Sequence, residues 1–183
     1  MQHHENTYIA LLRGINVGGN HKVPMAELRN EMVKLGFQNV RTLLNSGNVL
    51  FESLSGHGDE LEQEISHHLE NRFGFRIPVL IRKAGLILEA VESKPFEQVT
   101  VTKDTRLYIT FLKEEPSTTL NYPWTSVDGS YQILEVKDRL IYSVLDLAVT
   151  KTPKGMDALE LLFGKNLTTR NWNTILRLAD QLN

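Results

Sequence analysis

The chain has no cysteine among its 183 residues. That excludes disulfides, thiolate nucleophiles and cysteine-held zinc or iron–sulfur centres, and it fits a cytoplasmic setting. There is no run of about 18 apolar residues, so no membrane-spanning helix is expected. The start, Met1 to Asn6, lacks a basic segment followed by an apolar one, so no secretory signal is expected either. The pair His3-His4 in that stretch is set aside from site reasoning. A basic excess is missing too: 20 Lys and Arg stand against 22 Asp and Glu, giving a net charge of −2. Dedicated nucleic-acid binders usually show the opposite balance.

Catalytic signatures are also missing. There is no H-E-x-x-H, no G-x-S-x-G and no G-x-G-x-x-G. Gly14 and Gly19 have the spacing of a P-loop, but Asn20 and His21 occupy the places of Lys and Ser or Thr, and Lys22 comes too late. Phosphate chemistry of the Walker type therefore fails at the residues that perform it. Glu64 and His68, four apart, could share a metal, but a solvated polar face explains them better. No metal site is expected, and the sequence names no cofactor.

What is present is a 41% apolar chain with clear punctuation. Tyr8 to Leu12 reads as a strand buried on both faces. A glycine-rich loop, 13–23, follows it. Pro24 suits the first position of a helix, and Met25, Leu28, Met32 and Leu35 line one helical face up to Gly36. Val40 to Leu44 and Asn48 to Glu52 read as a hairpin across Asn45-Ser46-Gly47. Ser53 to Gly58 reads as a linker. Asp59 and Glu62 suggest a capping box for a helix that buries Leu61, Ile65, Leu69 and Phe73 and stops at Gly74. Ile77 to Ile81 completes the set, with Pro78 marking an edge strand.

That order, βαββαβ, is the ferredoxin-like pattern. The second half predicts a helix over Ala84 to Glu92, a strand over Thr105 to Leu112 and a long loop from Lys113 to Gly129. A hairpin of Tyr131 to Val136 with Leu140 to Leu145 follows, then a linker over Thr150 to Gly155. A helix over Met156 to Phe163 comes next, and a last one opens at Thr168 or Thr169. The fold class is α+β: a ferredoxin-like subdomain over 1–83 and a second, smaller α+β subdomain over 84–183, with an antiparallel sheet and C-terminal helices. The halves share a rough strand–helix composition, but residue identities do not show a duplication.

In the ferredoxin-like order the first two strands run parallel, so the loop after the first strand and the hairpin turn emerge at the same end. Arg13, Asn16, Gly18, Gly19, Lys22, Asn45, Ser46 and Asn48 are therefore candidate ligand contacts. The glycines could turn amides inward as an anion nest, and Arg13 could grip a carboxylate or phosphate. Arg170, read as lying in the first turn of the last helix, sits where the dipole favours acids. With Asn171 it could meet an anion. A small anionic ligand is the expected partner. The alternative is a non-catalytic module for single-stranded nucleic acid, through Tyr8 and Phe51, or for a protein, through Tyr122-Pro123-Trp124.

The stretches Ile9 to Gly19, Lys22 to Leu28 and Thr42 to Val49, with Pro95-Phe96 and Thr168 to Thr174, resemble the bacterial family known as domain of unknown function 1697. The resemblance implies an α+β fold with two subdomains, the first ferredoxin-like. It implies no activity and no catalytic residue.

Overall fold

The computed structural model describes residues 6–54, 57–118, 120–150 and 152–182. The chain divides into two compact units, Met1–Glu89 and Ala90–Asn183. His3-His4, the Ser55-Gly56 part of the expected linker, Thr119 of the long loop and Lys151 lie outside the described residues.

The first unit runs β1 (Thr7–Leu12), α1 (Met25–Lys34), β2 (Gln38–Leu43), β3 (Asn48–Glu52), α2 (Gly58–Phe73) and β4 (Val79–Lys83), and α3 (Ala84–Glu92) spans the division. Its sheet order is β2-β3-β1-β4, antiparallel throughout. This is the ferredoxin-like arrangement. Alternate residues of β1 (Tyr8, Ala10, Leu12) join Leu28 and Met32 of α1 and Leu61, Ile65 and Leu69 of α2 in one core. The intervening Ile9 and Leu11 are also fully buried, which is why the strand is apolar on both faces.

Two boundaries in this unit shift for physical reasons. β2 begins two residues earlier than its apolar run suggests, with a register shift between Gln38 and Arg41 where Asn39 has φ of 49°. The helix expected to open at Asp59 is capped two residues earlier: Glu60, not Glu62, reaches back to the His57 N–H at 3.2 Å. Glu62 turns inward and accepts the Ile81 N–H at 2.8 Å. It thereby satisfies a donor on edge strand β4, which starts only after Pro78.

The second unit runs β5 (Thr105–Leu112), β6 (Trp124–Thr125), β7 (Tyr131–Lys137), β8 (Leu140–Asp146), α4 (Thr152–Phe163), β9 (Leu167–Asn171) and α5 (Trp172–Asp180). Its sheet order is β6-β7-β8-β5-β9. The long loop holds the short strand β6, and α4 begins inside the segment expected to be a linker, with Pro153 in its first turn, where a missing N–H costs nothing. The stretch from Leu167 to Asn171 is a strand, not a helix start: it pairs with β5 in the register Ile109↔Arg170 and Leu112↔Leu167. Its threonines alternate across a sheet. The helix waits for Asn171, whose side chain accepts the Asn173 N–H at 3.0 Å and caps it.

Leaving β6 aside, β7-β8-β5-β9 repeats the order β2-β3-β1-β4. The correspondence extends to single bonds. Leu12 N–H donates to Gly47 O at 2.8 Å, and Leu112 N–H to Arg139 O at 2.9 Å. Arg13 N–H donates to Pro78 O, and Lys113 N–H to Asn166 O, both at 2.9 Å. Phe73-Gly74 and Phe163-Gly164 both end a helix, each glycine in the left-handed region near φ 78° and bonded four residues back. A helix follows directly on the last strand in each unit. Among the described residues no helix stands between β5 and β7, where α1 stands in the first unit.

Helices α1 and α2 are joined by a charged clasp around Glu31, which is only 3% exposed. Its carboxylate accepts from Lys34 Nζ at 2.7 Å and His68 Nε2 at 2.8 Å, with Arg72 Nε at 3.3 Å. Arg72 also bonds Glu27. The Lys34 hydrogen bond foremost, helped by His68 and opposed by burial, holds the Glu31 carboxyl below its ordinary 4.5. A depressed carboxylate stabilises the fold above its unfolded value and loses that contribution as pH falls through its folded value. Glu31→Gln should therefore lower the unfolding midpoint by roughly 2–8 °C at pH 7. The gap to wild type should narrow as pH drops below the carboxylate range. Thermal unfolding across pH 3–8 checks this, and a pH-independent gap would contradict it.

Candidate functional site

The two loops that topology brings to one end of the first sheet are in contact, and one side chain hydrogen-bonds across it. Asn16, at the turning point of the 13–23 loop with φ of 55°, donates through Nδ2 to Val23 O at 3.0 Å and to Asn45 O at 2.9 Å. Its Oδ1 accepts the Val23 N–H at 2.8 Å. The amide thus closes its own loop and ties it to the β2–β3 turn. All of its hydrogen-bonding capacity for a ligand through Nδ2 is spent in doing so.

The rest of the rim is built around that tie. Val17 and Asn20 form a small bridge across Gly18-Gly19, whose φ values of 59° and 81° are both positive. This is the two-residue hairpin turn that favours glycine at both central positions. The pair makes a turn first; among the described residues the Gly18 and Gly19 amides have no acceptor. Asn48, fully buried at the start of β3, gives its Nδ2 to Leu43 O at 2.9 Å and Ser46 Oγ at 3.0 Å. It shapes the turn that exposes Asn45 and Ser46.

A third segment joins the rim that the sequence did not single out. Arg13 N–H is held by Pro78 O, and the His21 ring lies flat on Phe75, centroids 4.4 Å apart and planes at 17°. The signal was available: β4 is antiparallel to β1, so the residues before β4 must emerge where β1 ends. Arg76 sits in this segment and is exposed. The three segments, 13–24, 43–48 and 74–79, contain Arg13, Lys22 and Arg76 and no Asp or Glu. Against a net charge of −2 for the chain, the rim carries +3 without counting histidine. Lys22 and Arg76 are exposed and make no ion pair among the described residues. Arg13 is half-buried. Helix α1 also opens here, with Pro24 as a cap that supplies no side-chain bond to its first amides. Two exposed apolar side chains, Val17 at 69% and Leu44 at 42%, flank the Asn16–Asn45 bond.

Arg170 and Asn171 behave differently from expectation. Arg170 is on β9 and 8% exposed, donating to Thr168 Oγ1 at 2.8 Å and to Thr169 O at 3.0 Å. Burial lowers its guanidinium to about 10. It is not in a helix first turn, so the dipole argument for an anion there does not apply. The Asn171 Oδ1 is engaged as the α5 cap. Tyr8 and Phe51 stack at 5.7 Å within the core and are 8% and 1% exposed, so neither offers a face to a nucleobase. His68 bonds Glu31 rather than Glu64. No group of three His, Cys, Asp or Glu suited to a metal occurs among the described residues, and no helix there is long and apolar enough to cross a membrane.

The fold and this rim coincide with a known family. The model described as "Protein of unknown function (DUF1697)" matches residues 6–142, and the chain belongs to that family. The match takes in all three rim segments and stops before Thr168 to Thr174. No curated protein matches the chain. Among solved structures, the conserved bacterial protein SP0830 from Streptococcus pneumoniae shares the fold with a TM-score of 0.71. It is 22% identical, over 97% of this chain and 99% of that one.

Gly47 tests how tightly the rim is built. A Cβ there would sit 2.7 Å from both Leu12 Cβ and Ile15 Cδ1, at a φ of 73°. Gly47→Ala combines backbone strain with overpacking and should cost about 2–4 kcal/mol. Gly19→Ala, at φ of 81° but in open space, should cost only about 1 kcal/mol. Urea denaturation of the two variants measures the difference, and equal costs would contradict the packing described.

Proposed function

We propose that the rim of the first unit binds a small anionic ligand carrying a phosphate or carboxylate group. The observation that carries this reading is charge: three segments converge with Arg13, Lys22 and Arg76 and not one carboxylate, in a chain that is acidic overall. Interspersed acids would neutralise such a cluster if its role were only solubility. The uncapped start of α1 adds the positive end of its dipole to the same place. Asn45 and Ser46, and the Gly18 and Gly19 amides, supply donors beside the cations, while Asn16 and Asn48 hold those donors in position. The net negative charge of the rest of the chain favours a compact anion over a long polyanion, whose remaining phosphates would be repelled.

A docking site for a protein partner is the second reading, favoured by the exposed Val17 and Leu44 at the centre of the same rim. Thermal-shift titration with phosphomonoesters, followed by calorimetry, separates the two. The small-ligand reading expects a Kd that the double variant Arg13→Ala, Lys22→Ala weakens by tenfold or more. Equal affinities for wild type and the double variant would overturn it.

A further inference from the structure

Resting on the anionic-ligand reading above, we propose that His21 contacts the ligand through Nε2 and that its protonation is coupled to anion binding. The other ring nitrogen is already committed. His21 Nδ1 lies 3.1 Å from Gly14 O. A carbonyl oxygen can only accept, so Nδ1 carries the proton and Nε2 is the atom that gains or loses one. The Phe75 face against the imidazole fixes the plane of the ring. With one nitrogen and the plane both set, the direction of Nε2 is fixed as well, and no group among the described residues bonds it. His21 is exposed.

The surroundings decide how charging this ring is linked to a ligand. On its own loop stand Arg13 and Lys22, and beside Phe75 stands Arg76. The nearby acid on α1, Glu27, is engaged by Arg72 of α2. The three rim segments hold three cations and no carboxylate. A bound anion supplies the negative charge that they lack. It stabilises the protonated ring, and by linkage the protonated ring must strengthen anion binding by the same factor. A sulfate ester or a carboxylate keeps its full charge over pH 5–8, whereas a phosphomonoester, with its second ionisation at about 6, gains charge as the ring loses its own.

Sulfate is the probe, because its charge is constant over the pH 5–8 interval in which histidine side chains as a class titrate. Wild-type affinity for sulfate should fall roughly three- to tenfold between pH 6 and pH 8. His21→Gln should be flat with pH and bind sulfate roughly three- to tenfold more weakly than wild type at pH 6. In nitrogen-15 spectra of the wild type, saturating sulfate should raise the His21 titration midpoint and leave those of His57 and His67 in place. That last readout needs no variant and does not respond to a merely structural ring. Sulfate binding with no pH dependence and an unmoved His21 would overturn this inference and leave the anion site standing. A wild type that binds neither sulfate nor a phosphomonoester would overturn both.

Discussion

A single carboxamide, that of Asn16, is what the rim of this protein depends on. It donates to two carbonyls 22 residues apart in sequence, Val23 O and Asn45 O, and accepts from the Val23 amide. No other neutral side chain of that size offers two donors and an acceptor in one plane. Its left-handed backbone is one that asparagine tolerates better than most residues. Because the amide is saturated by the protein, Asn16 contributes geometry and has no donor left over. Cations from three segments that contain no Asp or Glu are thereby held on one surface. That costs self-repulsion, to which the positive end of the α1 dipole adds and which the overall negative charge of the chain offsets.

The repeated topology gives this arrangement a control within the same molecule. Both units use the same strand order and the same two amide bonds at the corresponding end of the sheet, Leu12 with Leu112 and Arg13 with Lys113. The corner of the second unit differs in its turn and in its charge. Its hairpin turn is reduced to Asp138-Arg139, both at positive φ, and the segment after β5 brings Glu114 and Glu115 instead of glycines. Arg139 faces Glu115 at 3.7 Å, and among the described residues no helix counterpart to α1 opens there. One scaffold therefore presents an acid-free basic corner in one copy and an internally neutralised corner in the other. The charge pattern of the first corner is not a by-product of the fold.

Much of this was legible before any coordinates. Leu28, Met32, Leu61, Ile65 and Leu69 announced two amphipathic helices, and Pro78 announced an edge. The βαββαβ order alone placed the two loops of the rim together. The sequence misled where local chemistry had two uses. Thr168-Thr169 suits a helix cap and a strand equally well, and only the pairing with β5 decides for the strand. Glu62 sits at capping-box spacing, yet a buried donor on Ile81 claims it. The convergence of Asn16 and Asn45 was readable from topology, but the role of Asn16 was not, since residue type does not reveal whether an amide faces solvent or a pair of carbonyls. His21 and Arg76 were overlooked because their relevance comes from a third segment, which contributes through Phe75 rather than through a motif.

The central claim is that one amide makes the two loops a single body. Its most direct test is hydrogen exchange in the Asn16→Asp variant, which keeps the size of the side chain but turns the donor toward Val23 O and Asn45 O into a repelling oxygen. The account predicts faster exchange at the Val23, Asn20 and Leu12 amides together, with the β1–β3 and β1–β4 ladders unchanged away from that end. Exchange at these amides indistinguishable from wild type would contradict it, since the loops would then be held together by something other than Asn16.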